Sequence, residues 1–414
     1  MRVLNINTGQ TGGASICAIR ISNALKQQGI ESRLLVQAGK SHDDITVAEK
    51  DKEPFLNKNP FLLKIKHLLT RLGLYEDEDS LWYKRSKAMP NANEIVYTNV
   101  PLTSYKNIAH HPLVEWADVI HLHWVACFVD YPSFFREVKK PIVWTLHDQY
   151  PATGLMHFCS EHSPLPVELK ELDQKCINIK KKALEERKKR KLPGIYPVAI
   201  SEMMRNVITQ SDILGDFPCT LIHNGVDTTV FRDLKNILEC SDNKVVFLFS
   251  SYGLWVERKG LDRVIKALES VQKNTNKKIR LVCVGDNEGR NVKSDIIEIV
   301  ETGLISDNSE MAKLYSQADF YIQASYHEAF SQTNLEAMSC GTPVISTPCS
   351  GAADLIRSFN GELCDGFDVK NLINGISKAM EKSYDRQAIR DYIIEYFDYP
   401  VIARKYLELY NSII

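Results

Sequence analysis

Residues 319–347 constrain this chain more tightly than any other stretch. Asp319-Phe-Tyr-Ile-Gln-Ala-Ser325 is rich in β-formers and reads as a strand, and Val344-Ile-Ser-Thr347 reads as another. Between them Ser331 is placed to cap a short helix, and Gly341 stands where a left-handed residue ends it. The stretch is therefore a strand–loop–helix–strand unit. In sheets built from such units, ligands sit beyond the carboxyl ends of the strands, near the helix N-terminus.

Two carboxylates flank that N-terminus. Glu328 lies in the loop and Glu336 lies within the helix, with the backbone N–H groups around Ala329, Phe330, Ser331, Gln332 and Thr333 between them. N–H groups at a helix start suit a phosphate, and a carboxylate suits a sugar diol because each oxygen accepts a hydroxyl proton. A phosphate flanked by two hydroxylated rings, as in a nucleotide-sugar, satisfies all three features. Spacing alone leaves a second reading open, with Glu336 a solvated helix residue and Glu328 a capping acid near the helix dipole.

The whole string, Glu328-Ala-Phe-Ser331 and then Leu335-Glu-Ala-Met-Ser-Cys-Gly-Thr-Pro-Val-Ile345, resembles the donor-site signature of family 4 retaining glycosyltransferases of the GT-B fold. That resemblance selects the functional reading, because the string matches and not merely two acids.

Length and composition set the frame. The chain has 414 residues, 44% of them hydrophobic, enough for two domains with separate cores. Lys+Arg of 51 against Asp+Glu of 52 gives a net charge of −1, so no global field argues for nucleic acid. The ten cysteines are scattered without a Cys-x-x-Cys pair, which supports neither a disulfide framework nor a zinc site and suggests a reducing compartment. Met1 to Thr8 is too short and polar for a signal-peptide core, and no run approaches the roughly 20 apolar residues that span a bilayer. These features predict a cytoplasmic protein, with peripheral contact to the inner face of the membrane left open.

In the first half, Val3 to Thr8 reads as a buried strand leading into Gly9-Gln-Thr-Gly12-Gly13-Ala14-Ser15 and a helix whose face is Cys17, Ile21, Ala24 and Leu25. The loop is not the Gly-x-Gly-x-x-Gly dinucleotide fingerprint, which weighs against a Rossmann oxidoreductase. A plain tight turn is the simplest reading of it. It is also similar to the first loop of the same glycosyltransferases, which implies that Gly12 and Gly13 face the donor phosphates.

Residues 40–115 read as a flap or insertion. Within them, 60–74 mixes Leu with Lys64, Lys66, His67 and Arg71. A flap packed on its domain is favoured there over an interfacial helix on anionic lipid. Asp77-Glu78-Asp79 reads as a solvated charge run, with no metal assigned. Asp118-Val-Ile-His-Leu-His-Trp124 and Pro141-Ile-Val-Trp-Thr-Leu-His-Asp148 are two further β-rich runs with polar ends. Trp144-Thr-Leu-His-Asp148 resembles the segment of capsule and polysaccharide glycosyltransferases whose histidine contacts the transferred sugar, and this implies a catalytic His147. Relatives often follow with a cysteine-rich loop; here only Cys159 appears, in Phe158-Cys-Ser-Glu-His-Ser-Pro164. Residues 180–191 form a basic run on a long helix from Glu168, open equally to a solvated face and to anionic lipid.

The second half restarts the alternation of strand and helix at Lys244. Leu261, Val264, Ile265 and Leu268 mark one helix face, preceded by Arg258-Lys259-Gly260. Cations beside a helix start are a plausible diphosphate grip. In the family a lysine before glycine and an earlier arginine hold the diphosphate. Lys259 matches, Gly253-Leu254 occupies the earlier place, and Arg258 is the substitute. Leu281 to Ile305 is expected to shape the nucleobase pocket.

The alternation in two halves predicts an α/β fold of two Rossmann-like domains facing across a cleft: 1–225 on the acceptor side, 226–395 for the nucleotide-sugar, and a C-terminal helix in 396–414 returning to the first domain. The resemblance implies metal-independent transfer of a sugar from a nucleoside diphosphate sugar to a glycan or polyprenyl-linked acceptor, without a cofactor. A non-catalytic scaffold of the same fold is the alternative.

Overall fold

The structure is a computed structural model and describes residues 1–51, 60–71, 77–88, 98–159, 164–234, 244–349 and 351–414. Residues 72–74 of the amphipathic stretch, residues 160–163 of the loop after Cys159, and Cys240 lie outside the described residues. The chain divides into two compact units. Unit 1 is Met1–Ala199, Met204–Ile222 and Lys405–Ile414, and unit 2 is Ile200–Met203 and His223–Arg404.

Unit 1 is built on a parallel sheet of seven strands: β1 (Arg2–Asn7), β2 (Glu31–Val36), β3 (Ile45–Val47), β4 (Val119–Leu122), β5 (Ile142–Leu146), β6 (Ile195–Ala199) and β7 (Thr220–Leu221). Their order is β3-β2-β1-β4-β5-β6-β7. Every residue of β4 and β5 is buried, the mark of strands covered on both faces. The helix Gly13–Gln27 covers the sheet with Cys17, Ile21, Ala24 and Leu25. The final helix, Tyr399–Ile413, ends in this unit. Its Tyr410 hydroxyl bonds His121 Nδ1 at 2.7 Å and its Tyr406 hydroxyl bonds Thr145 Oγ1 at 2.8 Å, both inside the core.

Unit 2 carries a second parallel sheet: β8 (Lys244–Gly253), β9 (Lys278–Asp286), β10 (Glu298–Gly303), β11 (Phe320–Gln323), β12 (Val344–Ser346) and β13 (Gly361–Leu363), in the order β10-β9-β8-β11-β12-β13. The helix Leu261–Lys273 buries Leu261, Val264, Ile265 and Leu268. At Asn224-Gly225 the chain runs against the start of the last helix: Val226 N–H donates to Phe397 O at 2.9 Å and Tyr399 N–H to Val226 O at 3.1 Å. A Cβ on Gly225 would stand 3.1 Å from Phe397 O, so this passage has little room for a side chain. Two parallel-sheet α/β units of this kind constitute the GT-B fold.

Three expectations need correction. The helix Pro60–Arg71 is not simply a packed flap: Phe61 is 70% exposed, Ile65 38% and Leu68 57%, while Lys66 turns inward to Asp77 at 2.5 Å. Nor are residues 77–79 simply a solvated run. Asp77 Oδ1 accepts the Ser80 N–H at the start of the helix Glu78–Ala88, and Glu78 accepts the Ser104 hydroxyl; only Asp79 stands well out in water. The basic run on the helix Lys170–Lys189 likewise divides, because Lys180 and Arg187 are buried and the lysines between them are exposed, or nearly so, at its surface. Among the described residues no disulfide forms and no helix is long and apolar enough to cross a membrane.

Candidate functional site

In each sheet the strand order reverses once, between β1 and β4 in unit 1 and between β8 and β11 in unit 2. At such a switch point the two flanking loops leave in opposite directions and open a crevice at the carboxyl edge.

In unit 2 the loops after β8 and β11 carry the predicted cations and acid, and the structure brings them together. The turn Glu257–Lys259 follows β8 and Glu328 follows β11. Lys259 Nζ contacts Glu328 Oε1, Arg258 Nη1 lies 3.9 Å from the same oxygen, and the Ser325 hydroxyl donates to it at 3.2 Å. Burial pushes the Glu328 carboxyl up. The Lys259 and Arg258 charges and the Lys259 and Ser325 bonds outweigh that and hold it below the ordinary carboxylate value.

The two loops are fastened to each other. Tyr326 N–H donates to Arg258 O at 2.9 Å, and Arg263 donates to Ala324 O at 2.6 Å and lies 3.6 Å over the Tyr326 ring. Gly260 separates turn from helix at φ 80°, where a Cβ would stand 2.6 Å from Ala324 O. Only glycine lets the turn come this close.

Directly after Glu328, the backbone N–H groups of Ala329, Phe330 and Ser331 donate to no described residue. Ser331 caps the helix Gln332–Ser339 as predicted, its Oγ accepting from Asn334 N–H at 3.4 Å. The cap is fixed from below by Gln323, whose amide donates to Ser331 Oγ at 2.7 Å and accepts from Asn334 at 2.8 Å and Ser346 at 3.1 Å. Phe330 is buried and lies against His223, with ring centroids 5.2 Å apart and the planes tilted by 40°. Gln332 and Glu336 are half-buried, and the Tyr315 hydroxyl donates to Glu336 Oε2 at 3.3 Å.

Unit 1 places Gly12, at φ 89°, as the N-cap and Gly13 as the first residue of the helix after β1, and apart from the adjoining backbone no atom lies within 4 Å of a Cβ at either. Asn7 organises this loop, donating to Gly9 O and Ser15 Oγ and accepting Trp124 N–H at 3.0 Å. His147 follows β5. Its Nε2 pairs with His123 Nδ1 at 3.1 Å, and burial lowers its pKa to about 4 against the upward pull of Asp148. His147 is therefore a neutral imidazole near pH 7.

The neighbouring Asp148 does not bond His147. Its Oδ2 accepts the Trp124 indole N–H at 2.7 Å and faces His157 Nδ1 at 2.5 Å, while Oδ1 accepts Tyr150 N–H. Sequence reasoning passed over Ser325, Tyr315, Gln323, His123 and His157. The polar ends of β4 and β5 were the signal for His123 and for the loop that carries His157, whereas Gln323 and Ser325 lie at the end of β11 and Tyr315 on the preceding helix, where no spacing marks a role. Among the described residues no three His, Cys, Asp or Glu side chains gather as metal ligands.

Residues 11–230 match Glycosyltransferase Family 4, and residues 231–396 match Glycosyl transferases group 1. The chain belongs to glycosyltransferase family 4. Among curated relatives it is 27% identical to the capsular polysaccharide biosynthesis glycosyltransferase CapM of Staphylococcus aureus, over 47% of this chain and 54% of that one. It is 25% identical to N,N'-diacetylbacillosaminyl-diphospho-undecaprenol alpha-1,3-N-acetylgalactosaminyltransferase of Campylobacter jejuni, over 42% and 46%. The matches span about half the length of these relatives. Among solved structures, HepE of Anabaena in complex with UDP-glucose covers all of both chains with a TM-score of 0.63 at 17% identity. The apo lipopolysaccharide outer core galactosyltransferase WaaB does so with a TM-score of 0.60, also at 17% identity.

Proposed function

We propose that this protein is a retaining glycosyltransferase. It moves a sugar from a nucleoside diphosphate sugar to a glycan or lipid-linked acceptor in surface polysaccharide synthesis. The observation that carries this reading is the row of N–H groups at Ala329, Phe330 and Ser331 beside the Arg258–Lys259 turn at the unit 2 switch point. Fixed donors and two cations suit a departing diphosphate, whose charge they hold without reorganising. Glu336 then binds the ribose, Glu328 binds hydroxyls of the transferred sugar, and Gly12 and Gly13 leave room for phosphate oxygens. His147 contributes to transfer as a neutral hydrogen-bonding group. The relatives' names support a UDP-type donor and an undecaprenyl-linked acceptor. A cytoplasmic enzyme at the inner membrane face suits such an acceptor, and the exposed Phe61, Ile65 and Leu68 support peripheral contact.

Donor hydrolysis and UDP binding test this. Lys259→Ala is expected to weaken UDP binding about 10- to 100-fold, the worth of a charge-assisted hydrogen bond. Glu336→Ala weakens UDP binding too, while His147→Ala leaves it intact and slows turnover. Glu328→Ala abolishes turnover. A protein that binds UDP yet turns over no UDP-sugar is a scaffold.

A further inference from the structure

Lys180 belongs to a basic run, yet it is fully buried in unit 1, and nothing in the transfer chemistry uses it. Its ammonium carries three N–H donors, and two carbonyl oxygens and one aromatic face lie around it. Nζ donates to Tyr150 O at 2.6 Å and to Thr153 O at 2.9 Å, and it lies 3.4 Å from the centre of the Tyr150 ring. Both carbonyls belong to the short 3-10 turn Tyr150–Ala152 and its end, directly after His147 and Asp148. Within the turn Tyr150 O receives the long Thr153 N–H contact at 3.4 Å, and Lys180 supplies the shorter donor; a buried carbonyl left unmet is costly.

The clamp reaches further through Tyr150. Tyr150 N–H donates to Asp148 Oδ1, and Asp148 Oδ2 holds the Trp124 indole. From the same helix as Lys180, Asp173 accepts Leu155 N–H at 2.7 Å. The helix Lys170–Lys189 thus grips residues 150–155 at three backbone atoms.

We propose that Lys180 is a positioning residue for sugar transfer, fixing the segment 147–157 so that His147 and Trp124 hold their places at the carboxyl edge of the unit 1 sheet. The role in transfer rests on the glycosyltransferase reading; the clamp itself does not. The groups facing Lys180 are Asp173 and Cys176 on its own helix, Tyr131 on the helix Tyr131–Glu137, and Tyr150 with Asp148 on the loop. Burial lowers the Lys180 pKa to about 7, against the pull of Cys176, Asp148 and Asp173 upward. Deprotonation leaves two N–H donors for the two carbonyls but removes the charge that strengthens those bonds and the cation over the Tyr150 ring, so the clamp loosens as pH rises past about 7.

The test compares Lys180→Met with the wild type. UDP binding is expected to stay within about two-fold, because the proposed diphosphate grip lies in unit 2. UDP-glucose turnover falls about 10- to 100-fold, the cost of a small misplacement of reacting groups. Amide exchange of residues 147–157 quickens. The wild type loses turnover above about pH 7, and the variant lacks that limb. Unchanged exchange or wild-type turnover in the variant overturns the proposal. Should the variant not fold, wild-type exchange of 147–157 at pH 6 and pH 8, corrected for intrinsic rates, decides: equal protection overturns the clamp. No turnover of any UDP-sugar by the wild type overturns the transferase reading and the role in transfer with it, leaving the clamp to the exchange data.

Discussion

Glu328 gathers Lys259, Arg258 and Ser325 around one oxygen, and this makes its ionisation a readout of the site. Because its pKa in the folded protein lies below the ordinary 4.5, the unfolded chain binds the proton first as pH falls. Its contribution to stability is therefore whole above about pH 4.5 and is lost as pH drops through the lower folded value. Glu328→Gln is expected to lower the melting temperature at pH 7, with the difference from wild type shrinking below pH 4.5. A constant difference across that range would mean the ion pair is not what the substitution removes. The histidines of unit 1 act with the same sign at higher pH. Burial first, then the His147 charge, lowers His121 to about 3, and His147 itself sits at about 4, both from 6.5. Both add stability above pH 6.5 that diminishes as pH falls below it, since the unfolded imidazoles take up protons that the folded ones refuse. His147→Gln should flatten melting temperature against pH between 6.5 and 4.

The helix Gln332–Ser339 shows what a sequence reveals about an element and what it withholds. Its two ends are local chemistry. Ser331 caps it, and Gly341 at φ 74° closes it, with Gly341 N–H on Met338 O and Thr342 N–H on Ala337 O. Such signals lie within a few residues of each other and were legible. Gln323 beneath the cap and Tyr315 beside Glu336 come from other elements, and no spacing announces them. The basic run at 180–191 misled for the same reason, since charge pattern reports composition and not which side of a helix finds carbonyls to bind. Gly341→Ala is expected to cost about 1–2 kcal/mol for the left-handed backbone alone. A Cβ there also meets Arg386 O at 2.9 Å, so the measured loss in chemical denaturation should exceed that of Ser331→Ala, which removes a cap worth about 1 kcal/mol.

At the scale of the molecule, alternating strand and helix were readable in both halves, but the order β2-β1-β4-β5 and its counterpart β9-β8-β11-β12 were not, because order depends on pairing between distant segments. That order makes the loop after β8 neighbour the loop after β11, and so turns the separate sequence signals Lys259 and Glu328 into one site. The same dependence on distant chain governs the C-terminus. Unit 1 takes its last segment, Lys405–Ile414, from beyond all of unit 2. Ending the chain at Arg404 removes the Tyr406 and Tyr410 hydroxyls; Thr145 Oγ1 keeps His121 Nε2 at 2.8 Å, while the buried His121 Nδ1 loses its partner, at about 1–3 kcal/mol. The loss of two buried aromatic side chains from the core adds to this. The truncated protein is expected to expose residues 1–199 to limited proteolysis while retaining UDP binding in unit 2, because the cations proposed to grip the diphosphate, Arg258 and Lys259, lie within His223–Arg404. Protection of 1–199 at the wild-type level would show that unit 1 stands without its last segment, and loss of UDP binding would show that the grip depends on more than unit 2.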